Sequence, residues 1–459
     1  MKKRGLLLGA GLAAGLNGTA VQSAGPDKPN IVLILMDDMG VSDVGCYGST
    51  FYRTPNIDKL CSEGMKFTQA YAAAPICSPT RASILFGQYP ARTHITDFIP
   101  GRAMPYAKMK CPVLREFMPN DTPSIASELK KAGYVSAIFG KWHVARNMKQ
   151  HGPLSYGFDT YFEDGDLNSK STPQDPKGVF ALTGKAIDFM RENKDKPFFL
   201  FVSHYSVHDP LQCNPVLRDE YKTRIKPGAV QNNPIYATMI DDTDRSIGQL
   251  LVAMKELGLE KNTLVMFFSD NGGLLSNTSN EPFRNGKGSL YEGGIREPLI
   301  IRWPGRVEPG SVSDQIVSSV DLMPTFMDLA GVADRPPLLD GVSFVSVFTG
   351  KGKLNRDAIF WHYPHYYKPY NPPCGAVRAG QYKLIRFYDD NRTELYDLQN
   401  DLAEQNNLTS KMTEKTAELS AMLDRWKASV GAAEVTLNPA YDPARTNKMV
   451  KKKSATPEE

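Results

Sequence analysis

Four apolar runs in this chain each end in residues that are costly to bury. The run over 31–36 ends in Asp37-Asp38, and that over 134–139 ends in Gly140-Lys141-Trp142-His143. The run over 197–203 leads to His204 and then His208-Asp209, and that over 263–268 ends in Ser269-Asp270-Asn271. Continuous apolar runs of this length fit parallel strands buried on both faces. Amphipathic stretches over 54–64, 124–132 and 236–256 fit helices around them. Right-handed crossovers bring the carboxyl ends of parallel strands to one edge of a sheet, which is where open α/β sheets bind ligands. Asp37, Asp38, Lys141, His143, His208, Asp270 and Asn271 are therefore expected to converge. Any one ending has a structural explanation, such as a helix-capping Asp or a lysine stem packed on a neighbouring ring. Four in succession point to a site.

A fifth stretch supplies a nucleophile. In Cys77-Ser78-Pro79-Thr80-Arg81 the proline suits the first turn of a helix, where no amide donor is needed. Cys77 then stands at a helix N-terminus, which favours an anion. Arg81 lies one turn further on the same face. Asp37, Asp38, Asp270 and Asn271 offer only oxygen, which favours Ca²⁺ or Mg²⁺ over zinc. The loop over 284–298 carries Lys287 among glycines, a composition that lets backbone approach another group closely.

The rest of the 459 residues frames this region. Residues 1–24 read as a signal peptide: Lys2-Lys3-Arg4, a short apolar stretch over 6–16, and a cleavage site near Ala24. The expected product is a secreted, periplasmic protein without a membrane span. The net charge is only +4, and the leader supplies three of its positive charges, so bulk charge does not suggest nucleic-acid binding. The six cysteines fit no zinc pattern and read as buried thiols. From about residue 352 short apolar runs alternate with turns before an amphipathic stretch over 412–430. The expected fold is thus an α/β catalytic domain over 25–350 and a smaller α+β subdomain with an antiparallel sheet over 351–436. A loosely ordered tail over 437–459 follows. Residues 90–122 read as an irregular loop region next to the nucleophile, in which His94 and Arg102 are either substrate contacts or, the favoured reading, solvent-exposed loop residues. The aromatic stretch over 361–370 suits either sugar rings or internal packing.

In chain order, NIVLILMDDMG, CSPTRASILFG, GKWH, SVHDP, SDNGG and GKGSLYEGGIREP resemble the motifs of the type I sulfatases, formylglycine-dependent members of the alkaline phosphatase superfamily. The resemblance implies a large mixed, mostly parallel sheet flanked by helices. It implies that a formylglycine-generating or anaerobic maturase enzyme converts Cys77 to formylglycine (3-oxoalanine). Asp37, Asp38, Asp270 and Asn271, with the modified Cys77, would bind one Ca²⁺, Mg²⁺ being the lesser candidate. Arg81 and His143 would orient and ionise the aldehyde hydrate, Lys141 and Lys287 would hold sulfate oxygens, and His208 would protonate the leaving alcohol. The helix over 236–256 has Gly248, not His, four positions after Asp244, against a two-zinc phosphatase site. The expected substrate is a sulfated saccharide. The alternatives are a phosphonate or phosphate ester hydrolase on the same scaffold, and a non-catalytic Ca²⁺-dependent binder of sulfated glycans.

Overall fold

The computed structural model describes Met1 and residues 28–163, 171–367, 371–446 and 450–451. The leader expected over 2–24 lies outside the described residues. The main sheet has nine strands: β1 (Asn30–Met36), β2 (Met65–Tyr71), β3 (Val135–Gly140), β4 (Thr160–Phe162), β5 (Phe198–Ser203), β6 (Thr263–Ser269), β7 (Arg296–Arg302), β8 (Ser311–Ser313) and β9 (Val317–Ser318). Their order is β8-β2-β7-β6-β1-β5-β3-β4, with β9 continuing the β8 edge on β2. Only β7 runs against its neighbours. The sheet is thus mixed and mostly parallel, as expected.

Period-two alternation in β1 splits the core into two layers. Ile31, Leu33 and Leu35 join Ile84, Ile125 and Phe326 on one face. These come from α2 (Cys77–Phe86), α3 (Ile125–Lys131) and α6 (Leu322–Ala330). Val32, Ile34 and Met36 join Ile57, Leu182 and Ile240 on the other. Those come from α1 (Pro55–Ser62), α4 (Val179–Glu192) and α5 (Pro234–Glu256). With β1 covered on both faces, its polar residues can only follow its end.

The C-terminal region forms a separate four-stranded antiparallel sheet: β10 (Ile359–Tyr363), β11 (Cys374–Ala379), β12 (Tyr382–Phe387) and β13 (Thr393–Asp397). The apolar run over 375–387 is therefore two strands, turned at Gly380-Gln381. One face packs on α7 (Thr413–Ser429) through Leu419, Leu423 and Trp426. The other packs on Tyr71, Ile76 and Cys77, so the second sheet backs the nucleophile helix. Past residue 435, Thr436–Leu437 pairs with Met109–Lys110, and Val450–Lys451 pairs with Arg102–Ala103. The segment expected as a loose tail thus has two anchor points. No disulfide joins the six cysteines, and no described helix is long and apolar enough to cross a membrane.

Candidate active site

The ends of β1, β3, β5 and β6 are laced together. Asp37 N–H donates to Ser206 O at 2.9 Å, and Val207 N–H donates to Asp37 O at 2.6 Å. Asp38 turns through a left-handed φ of 63°, and its N–H donates to Asp270 Oδ1 at 3.2 Å. Asn271 Nδ2 donates to Asp38 Oδ1 at 2.8 Å. At the end of β3, Gly140 has φ 104°, and a Cβ there would lie 1.9 Å from Ser203 O. Glycine therefore lets the chain swing Lys141 into the centre, where Nζ donates to Asp37 Oδ2 at 2.6 Å.

Cys77 is the first residue of α2 and, like Arg81 one turn later, is almost fully buried. Arg81 Nε donates to Asp270 Oδ2 at 2.8 Å, and Nη1 donates to Lys141 O at 3.0 Å and Ser203 Oγ at 2.6 Å. One guanidinium thus fixes α2 against three strand ends. His143 Nδ1 lies 3.3 Å from Cys77 Sγ, and its Nε2 lies 3.0 Å from Ile99 O. A carbonyl only accepts, so Nε2 carries the proton and Nδ1 faces the thiol as an acceptor. Burial, with Lys141 and Arg81 close by, pushes His143 down to about 3, which keeps the ring neutral.

Lys287 Nζ donates to both oxygens of Asp38 at 2.6 Å. Its neighbour Gly288 has φ 82°, and a Cβ there would collide with the Tyr367 ring at 2.0 Å, so glycine is what lets this loop lie against Tyr367. His208 sits at the rim, with Nδ1 donating to Asp209 O at 2.6 Å and Nε2 3.7 Å from Asp38 Oδ2. Burial lowers its pKa, and Lys141 and Lys287 add to that against the pull of Asp38 and Asp37.

Three carboxylates and three permanent cations meet here, and they are not evenly satisfied. Burial works against ionising Asp37, but Lys141, His208, Arg81 and Lys287 outweigh it and hold the group well below its ordinary range. Burial and the charge of Asp37 instead push Asp270 well above that range, despite Arg81. Asp37 Oδ1 and Asn271 Oδ1 are buried without a hydrogen-bond partner. Ligand atoms of Asp37, Cys77 and Asp270 lie within 4.8 Å of one another. Orphaned buried oxygens beside a carboxylate pushed toward its neutral form fit a hard divalent cation.

The cluster faces a cavity of about 640 Å³, a size suited to a small ligand. All ten residues expected from the sequence come together at this edge: Asp37, Asp38, Cys77, Arg81, Lys141, His143, His208, Asp270, Asn271 and Lys287. Arg102 lines the cavity and His94 does not. Of the aromatic stretch, Trp361 and Tyr363 are packed inside, Tyr367 faces the cavity, and residues 368–370 lie outside the described residues. Phe98, Tyr205 and above all Lys177 also line it and are not evident from the sequence. Lys177 is buried and pushed down to about 8, chiefly by burial. Its only sequence signal is its place between Pro176 and Gly178, where it adopts φ 58° ahead of α4. Asp244, in the acidic run of α5, accepts from the N–H groups of Asn56 and Ile57 at the start of α1 and is structural.

Residues 29–332 match the family described as Sulfatase, and residues 285–429 match the C-terminal family of N-sulphoglucosamine sulphohydrolase. The N-acetylgalactosamine-6-sulfatase of Canis lupus familiaris is 34% identical over 410 residues, covering 81% of this chain and 73% of that protein. A sulfatase of Formosa agariphila is 29% identical over 484 residues, covering 86% and 87% respectively. Among solved structures, Ps i-CgsB in complex with k-i-k-neocarrahexaose superposes with a TM-score of 0.75 at 28% identity. That match covers 90% of this chain and 95% of the other.

Proposed function

Because the chain belongs to the sulfatase family, we propose that it removes sulfate from a sulfated carbohydrate at the cleft built on Cys77. The observation that carries this reading is the Cys77–His143 pair, set at a cavity lined also by Lys141 and Lys287 and braced by Arg81. A sulfate ester carries spread negative charge, and fixed cations aimed at it act with little reorganisation. The saccharide class is supported by the N-acetylgalactosamine-6-sulfatase relative and by the neocarrahexaose-bound neighbour.

In this reading Cys77 works after a maturase has converted it to formylglycine, whose hydrate presents two hydroxyls on one carbon. Asp37, Asp38, Asp270 and Asn271, with the matured residue 77, would hold one Ca²⁺, which when bound lowers a hydroxyl pKa and polarises the sulfuryl group. His143 Nδ1, already aimed at position 77, takes the proton of the attacking hydroxyl. Lys141 and Lys287 bind sulfate oxygens, and Arg81 holds α2 in register. His208, a third exposed at the rim, takes up a proton at Nε2 beside the anionic ester and delivers it to the leaving alcohol. The leader over 1–24 makes the protein an exported one, periplasmic in a bacterial host.

The test is to produce the protein with an active formylglycine-generating enzyme and assay sulfated mono- and oligosaccharides against a matched aryl phosphate diester. Sulfate release should dominate, and Cys77→Ala should lower it by at least about 10³-fold. Added Ca²⁺ should also raise the unfolding temperature of chelator-treated protein. Faster diester hydrolysis would favour the phosphate-ester reading. Tight Ca²⁺-dependent glycan binding without turnover would leave only a binding protein.

A further inference from the structure

A second cavity, of about 360 Å³, adjoins the catalytic one, and Arg102 lines both. The Arg102 guanidinium lies 5.0 Å from the Phe98 ring and 4.7 Å from the Tyr367 ring. Its Nη1 donates to Tyr367 O at 2.5 Å. It is a clamped cation on the threshold between the two spaces. Beyond it the wall carries Lys110, Pro112, His365, Tyr366 and Asn438, and none of the residues lining this cavity is acidic. Neither Arg102 nor Lys110 has a carboxylate within ion-pair distance among the described residues, whereas Arg81, Lys141 and Lys287 are all paired.

This wall is built from three distant parts of the chain and is held in place. Met109–Lys110 pairs with Thr436–Leu437. Tyr366 OH accepts from Met109 N–H at 3.2 Å. Asn438 Nδ2 donates to Pro105 O at 2.9 Å and to Ala107 O at 2.7 Å. Lys110 therefore projects from backbone fixed on both sides. A cavity lined by cations and by no carboxylate attracts anions, and low-dielectric walls concentrate that field; Asp97, which accepts from Arg102 N–H at 3.4 Å, is not part of its lining.

Resting on the sulfatase reading above, we propose that this cavity is a distal saccharide subsite. It takes a second, anionic sugar unit of the chain whose first unit presents its sulfate at Cys77. Arg102 touches both units, and Lys110 reads the charge of the outer one, whether sulfate or carboxylate. The enzyme is then one that prefers a charged chain over an isolated sulfated sugar.

The test compares kcat/KM for a sulfated monosaccharide with that for a tetrasaccharide bearing the same terminal unit and charged neighbours. The wild-type protein, Lys110→Glu and Lys110→Arg are measured in parallel. The wild type should favour the tetrasaccharide by roughly tenfold. Lys110→Glu should erase that preference through KM, and Lys110→Arg should keep it. A tetrasaccharide with a neutral outer unit should behave like the monosaccharide. Tetrasaccharides with a carboxylate or a sulfate on that unit separate the two anions, and preference for either supports the subsite. No chain-length preference, or one that survives Lys110→Glu, overturns the subsite. Failure to hydrolyse any sulfate ester overturns instead the sulfatase reading on which it rests.

Discussion

Two groups of charged residues are buried about equally deeply in this molecule, and only one of them faces a cavity. At the seam between the sheets, Lys383, Glu292 and Glu404 are fully buried. Lys383 Nζ lies 2.9 Å from Glu292 Oε1 and 3.0 Å from Glu404 Oε1. Glu292 Oε2 accepts from Tyr71 OH at 2.7 Å and from Arg296 Nη1 at 3.0 Å. Glu292 N–H donates to Glu404 Oε2 at 2.7 Å. The charges there are met by partners from the main sheet, the 284–298 loop and the C-terminal sheet, with Glu404 Oε1 alone resting on the Lys383 ion pair without a hydrogen bond. At the catalytic edge Asp37 Oδ1 and Asn271 Oδ1 have no hydrogen-bond partner, and Asp270 is pushed toward its neutral form. Reciprocal pairing marks a cluster that holds two sheets together. Incomplete pairing beside open volume marks one left ready for a ligand.

Lysines make the sharpest break of that comparison. Lys383→Met leaves Glu292 and Glu404 buried without their shared cation, and denaturant unfolding should show a loss of about 3–5 kcal/mol. Lys287→Ala, at the cleft, removes a buried partner of Asp38, but Asn271 and the rim His208 still face that carboxylate, so it should cost less stability than Lys383→Met. It should cost about 10²-fold in kcat/KM, or about 2.7 kcal/mol of transition-state stabilisation. If the two substitutions exchanged their effects, with Lys287→Ala unfolding the protein and Lys383→Met sparing stability but not activity, the assignment of the clusters would be reversed.

A smaller effect separates the clusters by pH. Burial, aided by the charge of Glu292, pushes Glu404 up to about 7 against the pull of Lys383. The folded protein then holds that proton more tightly than the unfolded chain, whose ordinary value is 4.5. Stability from this group is full below 4.5, falls as pH rises toward 7, and is level above it. Glu404→Gln should flatten that slope in an unfolding series. Asp37 has the opposite sign: its folded pKa is depressed, so its contribution is present above its ordinary 3.8 and is lost as pH falls below it. An unchanged slope in Glu404→Gln would place the titrating group elsewhere.

The same contrast shows what could be read from the sequence. The catalytic edge was legible because the parallel strands β1, β3, β5 and β6 are buried on both faces. Their polar residues can only follow the strand ends, and a one-dimensional pattern therefore reports a three-dimensional cluster. The Cys77–Arg81 motif was legible because both residues lie on one turn of one helix. Lys177 was hidden because no periodic element points to it: an irregular turn before α4 swings it inward. Strand β2 was missed because its burial is uneven, with Lys66, Thr68 and Gln69 only partly covered. The antiparallel placement of β7 follows from pairing between segments far apart in sequence, which local patterning does not encode. The second cavity needs residues 102–114, 365–366 and 438–440 together, and none of these segments announces the others.

The most direct measurement is the mass of the proteolytic peptide that contains Cys77, from protein produced beside a formylglycine-generating enzyme of demonstrated activity. An aldehyde mass at position 77 is expected, with sulfate release rising in proportion to the aldehyde fraction. A persistent thiol in protein that still releases sulfate at full rate would contradict it.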